Sequence, residues 1–346
     1  GWAGPPSVAA GHLIWGATLG ALYTRPVGSP AGDPPPMPRT TRQAHPLAPP
    51  AHERPPKGFL FATGIECSYP TLEGGRWRLD LMEATGHYRH WRTDLQLVHD
   101  LGMHALRYGP PLHRILVGPG RFDWSFTDDV VAQMRRLRIE PIMDLCHFGL
   151  PAWLGDFQNP EVPAALAEYA RAFAARYPSV RMYTPVNEMY VCARLSALEG
   201  AWNEQRRDEA SFVTAVRHLA RASVLMMQAI TRERPDAIFV NSESSEFYQA
   251  CCPDQRIRGI AAFENERRFL PLDLLYAHPV HPQMRQHLRR CGMPDEEYAW
   301  FMNQDVRRRA ILGVDYYEWN EKVIDHTGAA RSLGEYFGWT VIGGQD

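Results

Sequence analysis

Glu66, Arg107, His147, the pair Asn187-Glu188, Glu243 and the pair Tyr316-Tyr317 are spread along the chain so that each closes a short apolar segment. Carboxylates, a guanidinium, an imidazole, an amide and phenols, once gathered, suit a polyhydroxylated ligand. Polar groups would orient hydroxyls, and rings would cover the apolar faces of a sugar. A lone glutamate at the end of a strand is ordinarily a solvated loop residue. The joint placement is what points to a site.

The segments that must position these groups alternate in period. Phe59 to Glu66 reads as a buried strand, followed by Trp91, Leu95 and Val98 at helical spacing, with Gly102 where a helix C-cap falls. Met103 to Tyr108 is a second strand; Val130, Val131, Met134 and Leu137 mark a second helix; Glu140 to His147 is a third strand. Asn159-Pro160 predicts the start of a third helix, with Asn as N-cap, Pro first in the helix, and Leu166, Ala170, Phe173 and Tyr177 inward. Arg181 to Glu188 is the next strand, then a helix carrying Phe212, Val216, Leu219, Ser223, Met227 and Ile230, then a strand from Ala237 to Glu243. A long polar, partly helical excursion precedes a sixth strand, Ile311 to Tyr317, and Trp339 to Ile342 offers a weak seventh. Such alternation implies a parallel sheet, because parallel neighbours need a crossover. No Gly-x-Gly-x-x-Gly turn follows the first strand, so a (β/α)8 TIM barrel fits better than a dinucleotide fold, with catalytic groups at the C-terminal strand ends. About six of its eight βα units are expected within residues 58–346.

Four segments match a known pattern. Thr184-Pro185-Val186-Asn187-Glu188 resembles the Thr-x-Asn-Glu acid/base motif of glycoside hydrolase family 1 and its clan. Cys146-His147-Phe148-Gly149-Leu150-Pro151-Ala152-Trp153-Leu154 is similar to that family's third-strand His-Trp-Asp-Leu-Pro-x-Trp-Leu. Asp94-Leu95, Leu101-Gly102-Met103 and Leu106-Arg107-Tyr108, ending at His113-Arg114-Ile115, are similar to its first helix and second strand. Gly313-Val314-Asp315-Tyr316-Tyr317 parallels Gly-x-Asn-Tyr-Tyr of its sixth. The match covers residues 58–320 or so. Phe263 to Arg268 (Phe-Glu-Asn-Glu-Arg-Arg) resembles a divergent branch found joined to a sugar-nucleotide reductase, which implies fusion or association with a sugar-nucleotide enzyme.

The resemblance implies a retaining β-glycosidase acting on a carbohydrate substrate without a cofactor. Glu188 would be the general acid/base, and Asn187 would bond the sugar 2-hydroxyl, a contact that strengthens in the oxocarbenium-like transition state. His147 would meet another ring hydroxyl. Arg107 and Tyr317 would orient the nucleophilic carboxylate. Glu66 lies near the family's first-strand Gln, one residue out of register, with Cys67 competing. Met189, Gly149 and Asp315 depart from the pattern's Pro, Asp and Asn, which bears on substrate fit.

The family nucleophile, a Glu in a Thr/Ser-Glu-Asn context on strand seven, has no counterpart after Tyr317; Glu335 in Leu-Gly-Glu-Tyr reads as helical. Retention needs two carboxyls about 5–5.5 Å apart. Without the second charge, Glu188 is expected to ionise like an ordinary carboxyl. The nucleophile is expected beyond Asp346, within one βα unit; the alternative is a catalytically inactive carbohydrate-binding barrel. A third reading pairs Glu188 with Glu243 or Asp144 for inversion.

Composition excludes other classes. The chain has 346 residues, 37 basic and 39 acidic, for a formal charge of −2, so no nucleic-acid or anionic-membrane surface is indicated. Lysine occurs only at 57 and 322. The apolar run from His12 to Tyr23 is too short to cross a bilayer. Residues 1–57 hold 13 of the 29 prolines and read as a disordered leader. Six cysteines form no Cys-x-x-Cys pair, and the adjacent Cys251 and Cys252 do not easily bridge each other, which suits a reduced, cytoplasmic protein. The histidines show no His-Glu-x-x-His spacing, so no metal site is expected. Two unpaired sheet edges predict a poorly soluble polypeptide.

Overall fold

A computed structural model of the chain describes residues 60–304, 306 and 310–337. The Pro-rich leader at 1–57 and the weak strand Trp339 to Ile342 lie outside the described residues.

Six parallel strands form one sheet in chain order: β1 (Ala62–Glu66), β2 (Ala105–Gly109), β3 (Glu140–Asp144), β4 (Met182–Thr184), β5 (Ile238–Ser244) and, after an intervening β6 (Phe247–Ala250), β7 (Ala310–Asp315). Registers such as Gly64 opposite Arg107, Arg107 opposite Ile142, Asp144 opposite Thr184 and Val314 opposite Glu243 align the C-terminal ends along one rim. The helices α1 (His87–Asp100), α2 (Ser125–Leu137), α3 (Val162–Arg176), α4 (Met189–Ala193) and α5 (Glu209–Glu233) lie along the chain between them. This is the (β/α)8 TIM-barrel architecture with six of its strands in place.

The apolar spacings read from the sequence are the buried faces. Trp91, Leu95 and Val98 of α1, Val130, Val131 and Met134 of α2, and Phe212, Val216, Leu219, Ser223, Met227 and Ile230 of α5 are all buried. Gly102 follows α1 with φ of 75°, the left-handed value a helix stop requires. In β2 the alternation of the pleat turns Leu106 and Tyr108 to one side and Arg107 to the other.

Several boundaries differ from expectation; strand β7, for one, ends at Asp315, before Tyr316-Tyr317. Helix α3 begins at Val162, not Pro160: the Asn159 side chain accepts the Glu161 N–H at 3.0 Å and donates to the Leu154 carbonyl at 2.8 Å. Those bonds hold Asn159 in a side-chain turn one step before the helix, and Pro163 occupies its first turn. Strand β4 ends at Thr184 rather than Glu188, because Pro185 has no N–H with which to continue the ladder. Strand β3 stops at Asp144, three residues before His147.

The start of the polar excursion and the segment after β7 together build a second unit. Strand β6 pairs in parallel with β8 (Glu321–Ile324), which pairs antiparallel with β9 (Ala330–Ser332). Helix α6 (Gln255–Arg267) packs on it around Tyr248, Ile257, Ala261 and Ile324. No helix among the described residues is long and apolar enough to cross a membrane.

Candidate active site

The strand ends surround a cavity of about 350 Å³ whose wall includes Glu66, Arg107, His147, Asn187, Glu188, Asp315 and Tyr317. Glu66, Arg107, His147, Asn187, Glu188 and Tyr317 therefore share one space, whereas Glu243 and Tyr316, which also close apolar segments, are not on its wall. Glu66, not Cys67, faces it; the Cys67 thiol turns toward Asp80.

Arg107 is the hub of one side. Its Nη1 donates to Glu66 Oε1 at 2.9 Å, while Nη2 donates to Asn187 Oδ1 at 2.6 Å and lies 3.0 Å from Asp144 Oδ2. Burial disfavours the guanidinium charge, but Asp144 and Glu66 outweigh it and hold Arg107 above its ordinary value. Asp144 has no exposed surface; burial pushes its carboxyl up, and Arg107 and His147 reverse this to a net lowering. The same Asp144 oxygen meets His147 Nδ1 at 2.5 Å. That bond assigns the Nδ1 proton and leaves Nε2 as the imidazole nitrogen available to a ligand.

Glu188 is placed by backbone bonds to both neighbouring strands. The Asn187 N–H donates to the Cys146 carbonyl beyond β3, and the Glu188 N–H to the Ser242 carbonyl on β5, each at 3.0 Å. Glu188 immediately precedes α4 with φ of 38° and ψ of 64°, a left-handed conformation that costs a non-glycine residue about 1–3 kcal/mol and is kept where the surroundings dictate it. Asn187 Nδ2 lies 3.5 Å from Glu188 Oε2, and Oε1 is buried without a partner among the described residues.

The expectation that Glu188 would ionise like an ordinary carboxyl is overturned. Only 3% of the residue is exposed, and burial, with the nearby charges of Asp315, Glu243 and Glu246, pushes its carboxyl well up against a smaller opposing pull from Arg107. The like charges arise within the chain, from β5, β7 and the link after β5. Glu246 was invisible as a site residue because it belongs to no motif.

The inverting pairs lose support. Neither Glu243 nor Asp144 is on the cavity wall: Asp144 is locked between Arg107 and His147, and Glu243 Oε1 accepts the Tyr190 N–H at 3.1 Å. Asp315 does face the cavity. Burial first, then Glu66 and Asp144, push it up to about 6 against the pull of Arg107 and His147. Tyr317, also on the wall, stacks on Trp319 with centroids 5.0 Å apart.

Gly149, standing where the pattern has Asp, has a physical reason. A Cβ there would lie 1.9 Å from the Tyr69 carbonyl oxygen, so the loop after β1 occupies the space of any side chain.

A parallel barrel whose fourth strand delivers Asn-Glu to a cavity already holding Arg and His defines the glycosidase class of TIM barrels. The sequence profile of glycosyl hydrolase family 1 matches residues 78–290, and the chain belongs to that family. It is 25% identical over 247 residues to beta-glucosidase A of Thermotoga maritima, covering 68% of this chain and 54% of that protein. It is 29% identical over 173 residues to a bifunctional beta-D-glucosidase/beta-D-fucosidase of Bifidobacterium breve, covering 41% and 37%. The chain thus spans about half, or less, of the length of these relatives. The solved Thermotoga maritima beta-glucosidase in complex with glucoimidazole superposes with a TM-score of 0.66 at 19% identity, over 80% of this chain and 69% of that one.

Proposed function

We propose that this chain carries the acid/base half of a retaining β-glycosidase. Glu188 protonates the departing glycosidic oxygen and then takes a proton from the water that releases the sugar. The observation that carries this is a carboxyl buried beside Asn187 at a sugar-sized cavity, pushed up by burial and by neighbouring like charges. Asn187 and His147 Nε2 bind ring hydroxyls. Arg107 and Tyr317 orient the attacking carboxylate, which a Glu of a seventh βα unit supplies. The free cysteines fit a cytoplasmic enzyme.

The test is hydrolysis of p-nitrophenyl β-glycosides by the protein expressed to the end of its natural reading frame. Glu188→Gln is expected to lower turnover by about 10²–10⁴-fold, and the first sugar released is expected to be the β-anomer. Turnover indifferent to Glu188→Gln, or an α-product, overturns the proposal. A second reading is a barrel that binds sugar without cleaving it. Saturable sugar binding with no turnover by the same protein would establish that reading instead.

A further inference from the structure

Among the described residues the small unit formed by β6, β8, β9 and α6 has a core of four buried residues, Tyr248, Ile257, Ala261 and Ile324, with Ala250, Cys251, Cys252 and Ile260 packed against it. Units with so little apolar interior commonly need a covalent or metal clip. Three metal-binding side chains converge at one end of it. The Cys251 N–H donates to the Ile324 carbonyl at 3.0 Å, which seats the end of β6 beside the turn leaving β8. The chain bends at Cys251 and Cys252, so the side-to-side alternation of a strand no longer separates them. Cys251 Sγ lies 3.7 Å from His326 Nδ1, a residue 75 positions away, and the donor atoms of Cys251, Cys252 and His326 all lie within 4.8 Å of one another.

The 3.7 Å between Cys251 and His326 is what a tetrahedral ion requires, and the other two separations, bounded at 4.8 Å, close to it by side-chain rotation. Zinc–sulfur bonds of about 2.3 Å and zinc–nitrogen bonds of about 2.05 Å put sulfur and nitrogen about 3.6 Å apart and two sulfurs about 3.8 Å apart. The imidazole is carried on a rigid turn. Asp325 Oδ1 accepts the N–H groups of Thr327 and Ala329 at 2.9 and 3.1 Å, Arg331 donates to Oδ2 at 2.8 Å, and Arg256 donates to the His326 carbonyl at 2.9 Å. Asp325 is thereby occupied and is no ligand. The cysteines are half-buried and free, and His326 is exposed, so the position is open to solvent.

We propose that Cys251, Cys252 and His326 bind a thiophilic divalent cation, zinc in the first place, with solvent as the fourth ligand. Two thiols each lose a proton to the medium on binding, and the two thiolates balance the dipositive ion, with neutral imidazole as third ligand. The ion would tie the β6 end to the β8–β9 turn and hold the small unit together. This inference is independent of the glycosidase reading.

The test uses the full natural protein, reduced and stripped of metal, titrated with cobalt(II) and then zinc against a chromophoric chelator. One equivalent of cobalt with thiolate-to-metal charge-transfer absorption, displaced by zinc, is expected. Cys251→Ser with Cys252→Ser is expected to weaken zinc binding at least 100-fold, and His326→Ala by roughly 10–100-fold. Cys291→Ser is the control, since Cys291 lies 3.7 Å from His287 Nε2 in a separate contact, and should change nothing. Absence of thiolate charge transfer in the unmodified protein overturns the proposal whether or not the variants fold. Equal zinc affinity in the double variant, or loss of the signal with Cys291→Ser, overturns it as well.

Discussion

Strands β2 and β7 each deliver a charged residue to the same cavity, yet they live in opposite surroundings. Strand β2 is paired on both sides, by β1 and β3, and all five of its residues are buried. Among the described residues strand β7 pairs with β5 alone, and Ile311, Leu312 and Val314 are 40%, 56% and 64% exposed. Arg107 on β2 is fixed by Glu66, Asn187 and Asp144; Asp315 on β7 answers to Arg107 and His147 through charge across the cavity. The Arg107 side of the cavity is enclosed by paired strands. The Asp315 side borders a sheet edge that is unpaired among the described residues.

The contrast can be broken most forcefully by one substitution made twice. Leu106→Lys on β2 buries an unpaired ammonium and should unfold the protein, a loss beyond 4–5 kcal/mol. Leu312→Lys on β7 should change stability by less than about 0.5 kcal/mol and raise solubility, because it interrupts an exposed apolar edge. Urea unfolding and light scattering read the two. Equal losses would mean that β7 is as enclosed as β2.

A smaller effect is expected from Arg107→Met, which leaves Asp144 without its cationic partner in a site closed to water. The cost should be about 3–5 kcal/mol by thermal or chemical melting, and much less if Asp144→Asn is made with it.

The two aspartates should respond to pH with opposite signs. Asp144 is lowered in the folded state, so its stabilisation is present above its ordinary value of 3.8 and is lost as pH falls through the lowered one. Asp315 is raised from 3.8 to about 6, so its contribution is present below 3.8 and is lost as pH rises through about 6. Asp315→Asn should therefore raise the melting temperature at pH 7.5 and leave it nearly unchanged at pH 3.5. Asp144→Asn should lower it at pH 7.5. The same Asp315→Asn change removes a negative charge near Glu188 and should move the alkaline limb of activity to lower pH.

A smaller loss than at Arg107 is expected from Gly149→Ala. Its methyl must displace the Tyr69 backbone, at about 1–3 kcal/mol by melting, with catalysis little changed once the protein is folded.

Much of this was legible in the sequence because barrel strands repeat a period and place chemistry at one end. Arg107, Asn187 and Glu188 were found by motif, and the helix faces by spacing. Asp144 was read only as half of an inverting pair, since nothing in a linear string says that one carboxylate bonds both Arg107 and His147. Glu188 was misjudged for the same reason: its carboxyl is pushed up by burial first, and then by Asp315, Glu243 and Glu246, which stand 55 to 127 residues further on. Asn159 satisfied every rule for a helix start, yet its side chain bonded Leu154 and Glu161 instead. The Cys251–Cys252–His326 cluster escaped notice because its third member lies 75 positions away across a sheet.

The missing side chain at position 149 also constrains anyone who would recast sugar preference by transplanting a relative's loop. Whatever replaces that residue must be exchanged in concert with the turn around Tyr69, since the two segments share one volume. Inheritance at these two places is therefore joint, and a change at either should be accompanied in any descendant by a change at the other.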